Sequence, residues 1–334
     1  MKPERVRPAR RIKVCKSPSR LRLTTHADAV FVVDRDHATR LDKRSLETVW
    51  RVPVERDSGP GFVEDSVLFL GQGGNFSGID VADGRKLWGP TPLGSCRQWK
   101  GKVLGQSPLA IVDPTTGRIV RTLSSEDMAG DASVCGDIVA GVSIKGTTGD
   151  PVTAFHIVEE RVLWKRDLIA EAAARAGSYD TTRLMADCSG TLLLGRKDWL
   201  YACAIESGSI RWDRRVTLQY LFPAVSEGRV YVLAVNYDEP AHLVSMNLET
   251  GEVIYDVPQP VIEPLDRPYR GVVQGGQIAF STEKGRIAVF RREDGALVWW
   301  SEHDDTVFPP SFIDNRVLLP AIDGNLLVFE PPAA

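Results

Sequence analysis

Long apolar runs are missing from this sequence of 334 residues: none reaches the roughly eighteen residues a spanning helix needs, and none opens the chain. Neither a secretory leader nor a membrane anchor is therefore expected, and the expected location is the cytoplasm. Paired cysteines are missing too. Cys15, Cys96, Cys135, Cys188 and Cys203 are odd in number and show no C-x-x-C spacing, which argues against a disulfide framework. His26, His37, His156, His242 and His303 stand alone, without H-x-H or H-E-x-x-H spacing, so no metal site is expected from local motifs. Asp34-Arg35-Asp36-His37 and Asp323-Gly324-Asn325 offer oxygen donors but fill no calcium loop. No G-x-S-x-G nucleophile elbow occurs, and the glycines at Gln72-Gly73-Gly74-Asn75 and Gly275-Gly276 precede no helix, which excludes a phosphate cradle there. These absences point away from an enzyme.

Charge of one sign is also in short supply overall, the net being −3. A global attraction to nucleic acid or anionic membrane is thereby excluded. The charge is segregated, however. Lys2, Arg5, Arg7, Arg10, Arg11, Lys13 and Lys16 face a single acidic residue, Glu4, in the first sixteen positions. This basic arm, residues 1–10, is the one place where nucleic acid or an acidic protein could be held by charge. No aromatics interleave with its cations to support base stacking.

What the chain has in abundance is a repeat. Asp83-Gly84 leads to Trp88, Ser207-Gly208 to Trp212 and Asp294-Gly295 to Trp299, each Trp four residues after its Gly. Weaker copies are Thr116-Gly117 to Arg121, Thr250-Gly251 to Tyr255, Leu46 to Trp50 and Glu160 to Trp164. The period is about 41 residues, within the range of propeller blades. Gly supplies the positive φ of a tight hairpin with a bulge, between runs rich in Val, Ile, Leu and aromatics. Further apolar runs upstream make four short strands per unit. One such sheet cannot hide its apolar faces, so neighbours must stack. Trp50, Trp88, Trp164, Trp212, Tyr255 and Trp299 are the expected blade-docking residues, large rings wedged between adjacent sheets.

Segments such as Tyr201-Ala202-Cys203-Ala204-Ile205-Glu206-Ser207-Gly208-Ser209-Ile210-Arg211-Trp212 resemble the PQQ-like, tryptophan-docking propeller repeat, and the resemblance covers about residues 24–331. It is nearer to the propeller of the barrel-assembly lipoprotein than to the quinoprotein dehydrogenases. Those enzymes carry adjacent paired cysteines beside their quinone, and here no two cysteines are neighbours, so no cofactor is expected. The repeat implies a fold; unrelated functions share it.

The expected fold is all-β: a single propeller of four-stranded antiparallel blades over residues 11–332, eight-bladed with seven as the alternative. The last unit lacks an outer strand, which the alternation from Arg11 to Cys15 can supply, so N- and C-terminal strands would close one sheet. Turns between second and third strands share a face with the crossovers between blades. On that face lie the insertions 167–184, with a short helix expected over Asp167 to Gly177, and 257–269, with four prolines. Shorter loops are expected at Gly71–Gly78, Lys145–Pro151 and Asn236–Pro240. The sequence thus predicts a scaffold that binds a protein partner through this face, with Tyr179, Asp180, Arg183, Tyr237, Asp238, Arg267, Tyr269 and Arg270 as contact candidates. The alternative is an enzyme or small-molecule receptor with its site at the mouth of the central channel. Self-association is left open.

Overall fold

A computed structural model describes residues 4–15, 21–56, 58–106, 108–124, 132–142, 151–166, 183–187, 190–196, 199–216, 223–235 and 238–330. These residues form an eight-bladed β-propeller of four-stranded antiparallel sheets; one sheet carries an added fifth strand, and no helix occurs among the described residues. The blades span 22–53, 59–92, 96–124, 133–166, 183–215, 224–259, 272–302 and 311–329. The chain divides into two compact units, residues 1–57 with 216–334 and residues 58–215.

The second strands of the blades are continuous apolar runs. Ala29–Val33 is buried throughout, and Arg316–Pro320 is buried beyond its first residue. Such strands are covered on both faces, which suits β-branched side chains on a pleat. The fourth strands are edges, and they alternate: Val253–Gln259 is mostly exposed or half-buried.

The hairpin before each fourth strand follows one rule. Its fifth residue has positive φ: Leu46, Gly84, Gly117, Glu160, Gly208, Gly251 and Gly295. Polar side chains brace the start of several turns, as where the Asp113 carboxylate accepts the Thr115 and Thr116 amides at 2.8 and 3.2 Å. Past the turn each of the first seven blades bulges at the same place. Ile111 pairs with Arg121 and Val112 with Ile119, skipping Val120; Ser245 pairs with Tyr255 and Met246 with Val253, skipping Ile254. The bulge re-aims the residue after it. It also leaves the skipped residue outward, which accounts for the exposed Val49, Val120, Ile254 and Val298.

The re-aimed ring seats under the next blade's turn. Trp88 Nε1 donates to the Pro114 carbonyl, and Trp164 Nε1 to that of Ile205, both at 2.8 Å; the Tyr255 hydroxyl donates to that of Arg292 at 3.3 Å. Each acceptor is the second residue of its turn. A Cβ on Gly117 would fall 2.2 Å from the Trp88 ring, on Gly208 2.8 Å from Trp164, and on Gly295 2.6 Å from Tyr255. Where the turn carries Glu160 instead of Gly, the preceding blade offers Arg121 instead of an aromatic, and the two form an ion pair.

The N-terminal arm and the last strand share a sheet: Arg10–Lys13 runs antiparallel to Asn325–Phe329. The strand starts and stops earlier than expected, because the amides of Val14 and Cys15 turn to the Gly324 carbonyl. Since no turn follows Phe329 within this blade, Trp299 finds no turn carbonyl. It is fully buried and stacks on Phe329 at 5.4 Å, with its Nε1 unpartnered.

Within the basic arm, Glu4–Arg5 adds to the seventh blade parallel to Trp299–Trp300. Two further expectations need correction. The loop expected over Gly71–Gly78 shrinks to a two-residue hairpin turn, with Gly73 and Gly74 at φ 54° and 87°. Val257, Pro258 and Gln259 belong to the sixth blade's outer strand, where a proline is tolerated because an edge position asks for no ladder donor. The expected helix over 167–177 and the Lys145–Pro151 loop lie outside the described residues, apart from Pro151.

Candidate partner-binding site

After Gln259 the chain crosses to the seventh blade through Pro260, Pro264 and Pro268, which lock φ and remove donors, so no regular element forms. Packing fixes the crossover instead. Ile262 is fully buried in a cluster with Val235, Ala241 and Leu243, and the Gln259 side chain donates to the Gly295 carbonyl at 3.1 Å. At the far end the Tyr269 amide bonds the Ser281 carbonyl at 2.8 Å and the Glu283 amide bonds that of Arg267 at 2.9 Å, seating the crossover on the turn between second and third strands.

A charged hub pins the middle. The Asp266 carboxylate is buried and accepts from the Thr282 hydroxyl at 2.7 Å and the Lys284 amide at 3.1 Å, with an Arg286 nitrogen 3.6 Å away. Burial raises its pKa, against those hydrogen bonds. Arg286 also donates to Glu263 at 2.6 Å and Glu302 at 3.2 Å. Its hydrogen bond holds the exposed Glu263 carboxyl below the usual range, and Glu263 in turn raises the pKa of Arg286. Between Glu263 and Asp266 the hub leaves Leu265 at φ 63° and 46% exposed. An exposed leucine held in left-handed backbone is a preorganised apolar contact.

The sequence candidates divide. Arg267 is exposed beside Glu283, Arg270 and Asp238 are exposed, and Tyr269 is half-buried with its ring tilted against Phe308 at 6.3 Å. Tyr269 thus packs the crossover down. Tyr179, Asp180 and Tyr237 lie outside the described residues, and of Arg183 only the backbone, opening the strand Arg183–Asp187, is described. Sequence reasoning missed Glu263, Leu265, Asp266 and Arg286. They span more than twenty positions, and no local spacing signals them.

The oxygen donors flagged in sequence are occupied within the protein. Asp34 accepts the amides of Asp36 and His37, both at 2.8 Å, and pairs with Arg51 at 3.0 Å; Asp323 accepts from Asn325. Among the described residues no three His, Cys, Asp or Glu side chains group to hold a metal. Burial pushes the Cys96 thiol up to about 12, leaving it inert as a nucleophile. No described helix is long and apolar enough to cross a membrane.

Fold and repeat together define a β-propeller built from turn, bulge and docked aromatic. Residues 149–329, more than half of the chain, match the PQQ-like repeat model of the outer membrane protein assembly factor BamB, and the chain belongs to that family. No curated protein is significantly similar in sequence. Among solved structures, the computationally designed Ika8 protein superposes with a TM-score of 0.72 at 16% identity, covering 95% of this chain and 98% of that one. Sqt1 from Saccharomyces cerevisiae gives 0.67 at 11%, covering 95% and 97%. BamB from Moraxella catarrhalis gives 0.51 at 16%, covering 98% of each. At these identities the likeness is one of fold.

Proposed function

We propose that this propeller is a non-catalytic scaffold that binds a protein partner through the face carrying the crossover 260–271. The observation that carries the reading is Leu265, an exposed leucine in left-handed backbone, fixed by the Arg286 hub and flanked by exposed Arg267 and Arg270. A rigid apolar anchor rimmed by arginine is the composition of an interaction hot spot. Membership of a family named for an assembly factor supports the same reading. A cytoplasmic location is part of this proposal.

A photocrosslinking residue placed at Leu265 in the native host should trap one partner, while the same residue at the exposed Val120 should not. The double change Leu265→Asp with Arg267→Glu should abolish capture and leave the unfolding temperature within a degree or two. Equal crosslinking from both positions, or capture untouched by the double change, would refute this choice of face.

A further inference from the structure

The basic arm makes a pocket. It adds a parallel strand to the seventh blade at Glu4–Arg5 and then crosses to the eighth, where the Ala9 amide bonds the Val328 carbonyl and Arg10–Lys13 enters the ladder. Between the two attachments it borders an open cavity of about 590 Å³ lined by Arg5, Val6, Arg7, Pro8, Arg11, Ser301 and Glu302. That volume is in the range of ligand sites.

Its charge is unbalanced. Three guanidinium groups line the cavity against one carboxylate, Glu302, which Arg5 holds at 3.1 Å and which Arg286 shares at 3.2 Å. Arg5 is fixed further by lying over the Trp300 ring at 5.1 Å. Arg7 and Arg11 are exposed, and among the described residues no carboxylate pairs with either. Two uncommitted guanidinium forks on anchored backbone suit oxyanions, which they bind through paired hydrogen bonds.

We infer that this pocket is a second binding site, which takes an extended peptide segment bearing carboxylate or phosphate groups. Two observations favour a peptide over a nucleic acid. Glu4–Arg5 is the outermost strand of its sheet, so its free side offers main-chain groups to an added strand next to the arginines. Among the described residues no aromatic lines the cavity, the neighbouring Trp300 is covered by Arg5 and gives no stacking platform, and two free cations are few for tracking a phosphate backbone. The site uses none of the loop-face contact candidates, and it meets the crossover's charged hub where Arg286 shares Glu302.

Calorimetric titration of the whole chain at low salt tests it with four end-blocked or simple probes: hexaglutamate, a phosphoserine hexapeptide, a six-nucleotide thymidine strand and inorganic phosphate. Hexaglutamate or the phosphopeptide should bind, at least tenfold more tightly than phosphate or the oligonucleotide, and the preference between those two peptides identifies the anion. Arg7→Glu with Arg11→Glu should weaken that binding at least tenfold while the unfolding temperature and crosslinking from Leu265 stay unchanged; among the described residues neither side chain has a carboxylate partner to lose. Leu265→Asp with Arg267→Glu should leave peptide binding intact. Failure of both peptides to bind, binding indifferent to the arm variant, or an oligonucleotide or free phosphate binding as tightly as the peptides would each overturn the assignment.

Discussion

At Gly117 two demands meet in one residue. Its φ of 66° is costly for any residue with a Cβ, and the Trp88 ring would lie 2.2 Å from that Cβ. Gly73 meets only the first demand: φ is 54°, and nothing lies within 4 Å of the added atom. Gly117→Ala should therefore cost clearly more than Gly73→Ala, about 3 kcal/mol or above against about 1, in urea unfolding. Equal losses would mean that the ring is not wedged as described. Most of this was legible. The Gly-to-Trp spacing is short and local, so the docking residues could be read from the chain. The turn each ring enters could not, because the acceptor carbonyl belongs to the following unit: Pro114 for Trp88, Ile205 for Trp164.

The blade as an element is a turn, a bulge and an anchor that must agree with the next blade. Arg121 and Glu160 show what happens when the anchor changes. The ring is gone, the space above the next turn opens, and a residue with a Cβ sits at φ 52° there. Restoring the aromatic alone should hurt, since the Glu160 Cβ would meet a ring as the missing Cβ of Gly117 would meet Trp88. A double-mutant cycle of Arg121→Trp and Glu160→Gly should show favourable coupling of about 1 kcal/mol or more, with the double variant more stable than either single one. Additive effects would rule out the matched-pair account. That the hairpins bulge was legible from the turn glycines; which residue is skipped was not, because one such as Val120 is apolar like its neighbours. The crossover 260–271 was legible as an irregular segment from its prolines. Its rigidity was not, because Asp266, Thr282 and Arg286 become neighbours only after the seventh blade has formed.

For the whole chain, the attachment of both ends to one sheet carries the most weight. The apolar face of Asn325–Phe329 is buried, and its ladder partner comes from the arm. Deleting residues 1–13 should leave that edge unpaired, lower the unfolding temperature by several degrees and promote self-association, read by calorimetry and size exclusion. An unchanged monomer would show that the strand is dispensable. The blade number and this closure were foreseeable by counting units and noting which strand the last one lacked.

Because Arg10 pairs with Val328, the strand Arg10–Lys13 is made long before the strand it joins. At typical rates of translation that interval is on the order of tens of seconds. During it the other seven blades can form from neighbouring segments, while Arg10–Lys13, the outer strand of the eighth, has no ladder partner to join. Arg10, Arg11 and Lys13 place charge on that waiting strand, which disfavours edge-to-edge pairing with other chains, and the closure that seats it also builds the pocket between Arg5 and Arg11.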